Sequence, residues 1–321
     1  MGVSTPVRNN AARAAGFFLD WTLDLFNSLG PTITALMSNA SNTAGTTSDF
    51  APTEVVQSIQ SGFNQFTSTI LEALKPTGYA LCFLFFLIAL IELAMSERMT
   101  MEFFAKFFSK LAVGYAAVYF SDKIFSICQD MGEKMALFIS DKCSTTLNSM
   151  ETSKSITDVF LEYVSNNGAS SWLPLLAIGL AVGVPAVLVA AGVFVTTYII
   201  CFSRMLEISI RGMFLPIACA LLSDDGWKGA GGRYIKKFLA VCCQGGILVM
   251  IGSLGSLAVR EAYNYAVKGI ANYNMTGDDG SAVFGLIGKI VSVFIVLIGI
   301  GLAIVSLMQK SIGIVNDVFG A

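Results

Sequence analysis

Residues 78–95 read GYALCFLFFLIALIELAM. The only ionisable side chain of consequence is Glu92, close enough to one end to reach the interface. A run of this length covers roughly 30 Å of hydrocarbon as a helix, which makes it a membrane span rather than a buried core helix. Working outward, residues 172–201, 238–259 and 283–308 form further long apolar runs, and 103–121 forms a weaker one. Lys106 and Lys110 sit on one face near the start of that weaker run and can snorkel to headgroups. Composition agrees: hydrophobic residues make up 55% of the chain and charged residues only 13%, against about 25% charged in a soluble domain. Mean hydropathy is +0.69. A soluble fold needs that missing polar fraction to cover its surface, whereas a chain in lipid does not. The expected class is all-α: a polytopic helical membrane protein of about five transmembrane helices, with amphipathic helices at its N-terminal end.

The remaining segments set the expected layout. Residues 1–77 form an N-terminal region. Within it, Phe18, Trp21, Leu25 and Leu29 recur at helical spacing, with Asp20, Asp24 and Asn27 off the stripe. This predicts an amphipathic helix, lying on a membrane face or a partner, or packed within the protein itself. Residues 38–53 read as a loop. Val56, Ile59, Phe63, Phe66 and Ile70 then form a coiled-coil-like apolar seam, expected to face a neighbour. Pro76 and Gly78 are expected to end that helix, so that residues 78–121 hold the first two spans. Residues 122–171 read as a polar central loop with an amphipathic piece around Met131–Ile139, and 172–321 as a C-terminal membrane domain. Gly179 and Gly183 form a GxxxG, and Gly245, Gly246 and Gly252 add small positions at which helices of one chain or of neighbouring subunits approach closely.

Much chemistry is excluded. The chain has no His and seven Cys, so His-containing zinc sites and Ser–His or Cys–His pairs are ruled out. No CxxC occurs, and Cys82, Cys201, Cys219, Cys242 and Cys243 lie in or beside apolar runs as small buried hydrophobes. Cys128 and Cys143 flank a polar segment and form a candidate disulfide if that segment is outside the cytoplasm. No Asp falls within a strong span, so an intramembrane aspartyl site is not expected. The expected answer is no enzyme: no catalytic set, no metal site and no cofactor. A net charge of -2 provides no basic field for holding nucleic acid, so any role in DNA traffic would be as a conduit or scaffold. No secretory signal peptide is evident near residues 14–29, where Asp20 and Asp24 interrupt the apolar stretch.

Residues 203–237 are unusual. Arg204, Glu207 and Arg211 lie three and four apart and can pair. The half-span MFLPIACALL is broken by Pro216, and DDGWKGAGGRYIKK follows as a Gly-rich basic loop matching no phosphate-binding motif. This region carries six Lys and Arg: Arg204, Arg211, Lys228, Arg233, Lys236 and Lys237. Residues 96–110 carry three, Arg98, Lys106 and Lys110, while 260–282 carry two, Arg260 and Lys268. The positive-inside rule places the first two regions in the cytoplasm and the third outside. This holds if 205–222 is a re-entrant or cytoplasmic helical hairpin rather than a crossing. The N-terminus and 122–171 then lie outside and the C-terminus inside, and six crossings is the rival map.

The stretch RMLEISIRGMFLPIACALLSDDGWKGAGGRYIKKFLAVCC, residues 204–243, resembles the TrbL-like polytopic channel subunit of bacterial type IV secretion (conjugation) systems. The shared features are an Arg-bearing helix (Arg204, Arg211), Pro216 in a half-apolar segment, the turn Asp225-Gly226-Trp227, and a span led by Lys237-Phe238. The resemblance extends loosely over 55–310. It implies a homo-oligomeric inner-membrane channel or scaffold in bacteria, passing DNA or protein substrate and meeting the system's cytoplasmic ATPases. Under it, Arg204, Glu207, Arg211, Lys228, Arg233, Lys236 and Lys237 form a cytoplasmic contact face; ordinary positive-inside topology explains the same charges without a partner. The alternative is a secondary transporter or other multi-span permease. Only Glu92, Gln244 and Lys289 are candidates for coupling, and no internal repeat is evident.

Overall fold

The computed structural model describes residues 5–37, 53–95, 101–149, 155, 157–158, 161–162, 172–271 and 281–320. Its helices are α1 (Thr5–Met37), α2 (Thr53–Met95), α3 (Met101–Tyr119), α4 (Ser121–Ser149), α5 (Trp172–Met213), α6 (Leu215–Ala220) and α7 (Leu222–Asp225). A 3₁₀ turn, Gly226–Lys228, leads into α8 (Ala230–Ala271), and α9 (Ser281–Phe319) follows. No strand occurs among the described residues. The protein is all-α and polytopic. Among the described residues, four helical stretches are long and apolar enough to cross a membrane: Ser58–Glu92, Ala181–Met213, Ala230–Tyr265 and Phe294–Phe319. Phe108–Tyr119 and Ser121–Thr146, bent by 60° at their junction, become a fifth if they are one broken span.

Several boundaries differ from the sequence expectation. Pro76 and Gly78 do not end a helix: α2 runs through both. An internal Pro loses one backbone bond and crowds the preceding turn, but membrane helices tolerate this where neighbours compensate. Gly78 is where the neighbour comes close, since a Cβ there would stand 3.0 Å from the Pro216 carbonyl oxygen. The expected central loop is largely helical, because α4 takes up 121–149. Thus the expected border at 77/78 lies inside one helix, while that at 121/122 falls beside the bend between α3 and α4. The Arg-bearing segment is likewise no separate helix but the end of α5, whose 42 residues extend about 63 Å, twice the hydrocarbon thickness.

The chain divides into two compact units. The first comprises 1–33, 139–200 and 248–309. There α1 is an internal strut: Leu25, Phe26, Leu29 and Ile33 are buried, which decides for packing within the protein over a surface position. The Ser256 hydroxyl donates to the Phe26 carbonyl at 2.7 Å. Asp20, off the predicted stripe, accepts from the Ser155 hydroxyl at 2.6 Å and from the hydroxyls of Thr157 and Tyr263. A carboxylate on a half-apolar helix is thereby held by three donors, which offsets its desolvation.

The second unit comprises 34–138, 201–247 and 310–321. Its core gathers Leu71, Cys82, Val118, Phe125, Cys128, Leu215, Cys219, Ile235, Phe238 and Cys242. Phe125 stacks on Phe238 with centroids 5.8 Å apart. The short helices α6 and α7 pack here beside α2 and α3: Gly78 meets Pro216, and a Cβ on Gly114 would strike the Ser223 side chain at 2.5 Å. With six and four residues, each rises less than about 10 Å and cannot cross a bilayer.

The predicted apolar seam of α2 is only partly engaged: Phe63 and Ile70 are half-buried, with Phe63 5.9 Å from the Phe202 ring, and the Val56 side chain lies outside the described residues. Ile59 and Phe66 are exposed, whereas Gln60, Thr67, Leu71 and Cys82 are buried. In water the apolar face turns inward, but in lipid there is no such drive, and small or polar groups collect at helix contacts. Farther along, Phe83, Leu84, Leu87, Ile88 and Ile91 continue the exposed apolar face.

Candidate functional site

The seven residues expected to form one contact face separate into two groups within the second unit. On the last turns of α5, Glu207 lies between two guanidinium groups. It pairs with Arg204 three residues before it, and with Nη2 of Arg211 four residues after it at 2.7 Å. Both spacings bring side chains onto one helical face. Arg204 is buried, with Glu207 and Arg211 half-buried, so this triad is largely self-neutralised and internal. Its signature was legible in the spacing, an acid between two bases on one face. Tyr234, from the first turns of α8, donates its hydroxyl to the Arg211 carbonyl at 2.9 Å. That bond occupies an acceptor near the C-terminal end of α5, where helices leave carbonyls without intrahelical partners.

Lys228, Arg233, Lys236 and Lys237 form the second group. All four are exposed, and among the described residues none enters an ion pair. Two sharp local features place them. Gly226 has φ 66°, a left-handed conformation that disfavours any residue with a Cβ, and it ends α7. Trp227 follows at 65% exposed. Beyond it, Gly231 and Gly232 let α8 start tight against the preceding turn: a Cβ on Gly231 would stand 2.4 Å from the Ala218 carbonyl oxygen, and one on Gly232 2.2 Å from that of Trp227. The glycines that looked like a loop therefore build a compact corner, with Lys228 in its 3₁₀ turn and Arg233, Lys236 and Lys237 on the first turns of α8.

The predicted packing glycines fall in both units. In the first, a Cβ on Gly183 would stand 2.8 Å from Cβ of Phe18, and one on Gly252 2.6 Å from Cδ1 of Ile33. These contacts are within one chain. Gly245 and Gly246 are buried, and the surroundings of Gly179 lie outside the described residues. The candidate disulfide is corrected. Cys128 and Cys143 are both free and occupy one continuous helix, fifteen residues and so about 22 Å apart, whereas bridged Cα atoms lie within about 7 Å. Glu92 and Gln244 do not come together as a coupling pair: Glu92 is exposed near the end of α2, and Gln244 is buried and donates to the Ser311 hydroxyl. The side chain of Lys289 lies outside the described residues. No group of three or more His, Cys, Asp or Glu suited to a metal ion occurs among the described residues.

Sequence reasoning missed a polar seam between α2 and α4. Lys75 pairs with Asp122, and Nε2 of Gln129 donates to Oδ1 of Asn64 at 3.1 Å. The two helices run antiparallel along this seam, as the order of the pairs requires. One signal was present: Gln60, Asn64, Thr67 and Lys75, with Leu71 between them, recur at steps of four and three, a mostly polar stripe beside the apolar seam. No family model, curated protein or solved structure matches the chain.

Proposed function

We propose that this protein is an inner-membrane channel or scaffold subunit of a type IV secretion machine, passing DNA or protein substrate out of the bacterial cytoplasm. The observation that carries the reading is the corner between α5 and α8. Two helices too short to cross are tucked beside α2 and α3, and an exposed Trp and four exposed bases project beyond them. This is the same stretch that resembles the TrbL-like subunit, and the open bases suit an acidic patch on a cytoplasmic ATPase. The self-neutralised triad on α5 holds the corner in place rather than touching the partner, so the contact residues narrow to Lys228, Arg233, Lys236 and Lys237. The subunit is proposed to act as a homo-oligomer, with its N-terminus outside and its C-terminus in the cytoplasm.

Crosslinking in cells tests this. A photoreactive group placed at Lys228 or Lys236 is expected to capture a secretion ATPase, and Lys228→Glu with Lys236→Glu is expected to lower substrate transfer at least about tenfold with membrane insertion unchanged. Capture of the chain alone, together with solute movement by the purified chain in vesicles, would instead establish the transporter or permease alternative.

A further inference from the structure

The corner between α5 and α8 stands against helices that face lipid. Ser223, in α7, lines a narrow crevice with Cys82, Phe85 and Phe86 of α2 and with Lys110 and Leu111 of α3. On the same stretch of α2, Phe83, Leu84 and Leu87 are exposed and apolar. Lys110 is exposed near the start of the α3 apolar run, where a basic side chain reaches up to the headgroups. The crevice therefore lies beside a membrane edge. Just beyond Ser223 the chain turns at Gly226 and presents Trp227, 65% exposed. A bare indole is unfavourable in water but suits the headgroup level, where its ring meets acyl chain and its N–H meets polar groups.

The bases share this corner. Ile235 is 8% exposed and Phe238 is fully buried, and Tyr234 turns its hydroxyl to the Arg211 carbonyl. These three fix the rotation of the first turns of α8. Arg233, Lys236 and Lys237, spaced three and four apart, then fall on the opposite, exposed face. With Lys228 they make four exposed bases, none in an ion pair among the described residues. Asp224 and Asp225 precede Trp227, their side chains outside the described residues, and four bases against two acids leave the stretch 224–237 net positive. A cluster of about four to eight Lys and Arg beside a membrane helix is the kind that recognises anionic headgroups. A free anion would need the bases alone; the neighbouring indole and the lipid-facing helices single out a phosphate carried on a lipid. We infer that the corner binds the headgroups of anionic phospholipids, with Trp227 seated at the interface and Lys228, Arg233, Lys236 and Lys237 on the phosphates. Only the side of the membrane is taken from the secretion reading: on the cytoplasmic face, headgroups hold these bases until an ATPase displaces them.

The test uses the full chain with Trp21→Phe and Trp172→Phe, which leave Trp227 as the sole indole, in nanodiscs of equal parts phosphatidylcholine and phosphatidylglycerol. Bromine on the upper acyl chain of one lipid at a time quenches only an indole that touches that lipid. Brominated phosphatidylglycerol is expected to quench Trp227 at least about threefold more than brominated phosphatidylcholine. The excess is expected to vanish in about 1 M sodium chloride, where the screening length is about 3 Å. It is also expected to vanish when Lys228→Gln, Arg233→Gln, Lys236→Gln and Lys237→Gln are combined. Equal quenching by the two lipids, quenching by aqueous acrylamide but by neither lipid, or an excess that survives both salt and charge removal would overturn lipid binding. So would loss of the excess to inorganic phosphate at constant ionic strength, which marks a site for a free anion. The salt measurement needs none of the Gln substitutions, so a Gln variant that fails to insert does not decide the outcome. No ATPase is present in the discs: a negative result there leaves the ATPase contact standing, and failure to capture an ATPase in cells leaves lipid binding standing.

Discussion

At the scale of single residues, burial decides which charges matter. Glu207 serves two guanidinium groups, one of them buried. Glu207→Ala leaves Arg204 in place without its counter-charge, and the expected cost is roughly 2–3 kcal/mol, discounted from fully buried pairs because the site is partly wet. Arg211→Ala, at a half-exposed position, is expected to cost less than about 1 kcal/mol. Tm in nanodiscs measures both, and a larger loss in the arginine variant would show that the buried pair is not the anchor. Glycines obey the same logic. Gly132→Ala drives a methyl into the backbone of α8 and is expected to cost about 1–3 kcal/mol, while Gly192→Ala, with nothing within 4 Å, is expected to be neutral or stabilising by up to about 1 kcal/mol. Equal effects of the two would mean that α4 and α8 do not approach as described.

At the scale of elements, the helices were legible and their ends were not. Apolar runs identify α2, α5, α8 and α9 because hydropathy is a sum over neighbours in sequence. Termination depends on what lies outside the helix, and at Pro76 and Gly78 the local rules gave a stop where α2 continues with α6 packed close against Gly78. The pairing of α2 with α4 shows the same limit. Lys75 and Asp122 are 47 positions apart, and nothing local marks them as partners. A double-mutant cycle with Lys75→Met and Asp122→Asn is expected to give a coupling energy of about 1–2 kcal/mol, read from Tm. A coupling near zero would mean that the seam is not closed by this pair.

At the scale of the whole molecule, orientation is the decisive quantity. The native cysteines are convenient probes, because all are buried except Cys143, which is half-buried on α4. With the five-crossing map, Cys143 is expected to react with a membrane-impermeant maleimide in intact cells. In a Cys143→Ser background, Lys228→Cys is expected to react only after the membrane is opened. Reaction of Lys228→Cys from outside would remove the cytoplasmic corner, and with it the support for an ATPase contact. Of the candidate site, the four open bases could be read from charge counting, and the triad from its spacing. The seating of the corner could not, since Gly78 and Gly114 meet Pro216 and Ser223 only when the helices come together.

What the amino-acid order determined alone is the class: long greasy runs with few charges can satisfy their backbone in lipid only as helices, and that requirement is met segment by segment. It could not say which helix lies inside. The most apolar windows of α2 and α8 have the same mean hydropathy, 1.9, yet 11% of the first is buried and 78% of the second. The difference is one of shape. On α8, Gly231, Gly252 and Gly255 let neighbours in, while α2 turns Phe83, Leu87 and Ile91 outward. Lipid and protein interior are equally apolar, so hydropathy cannot separate them; close packing can, and packing exists only once the helices have met.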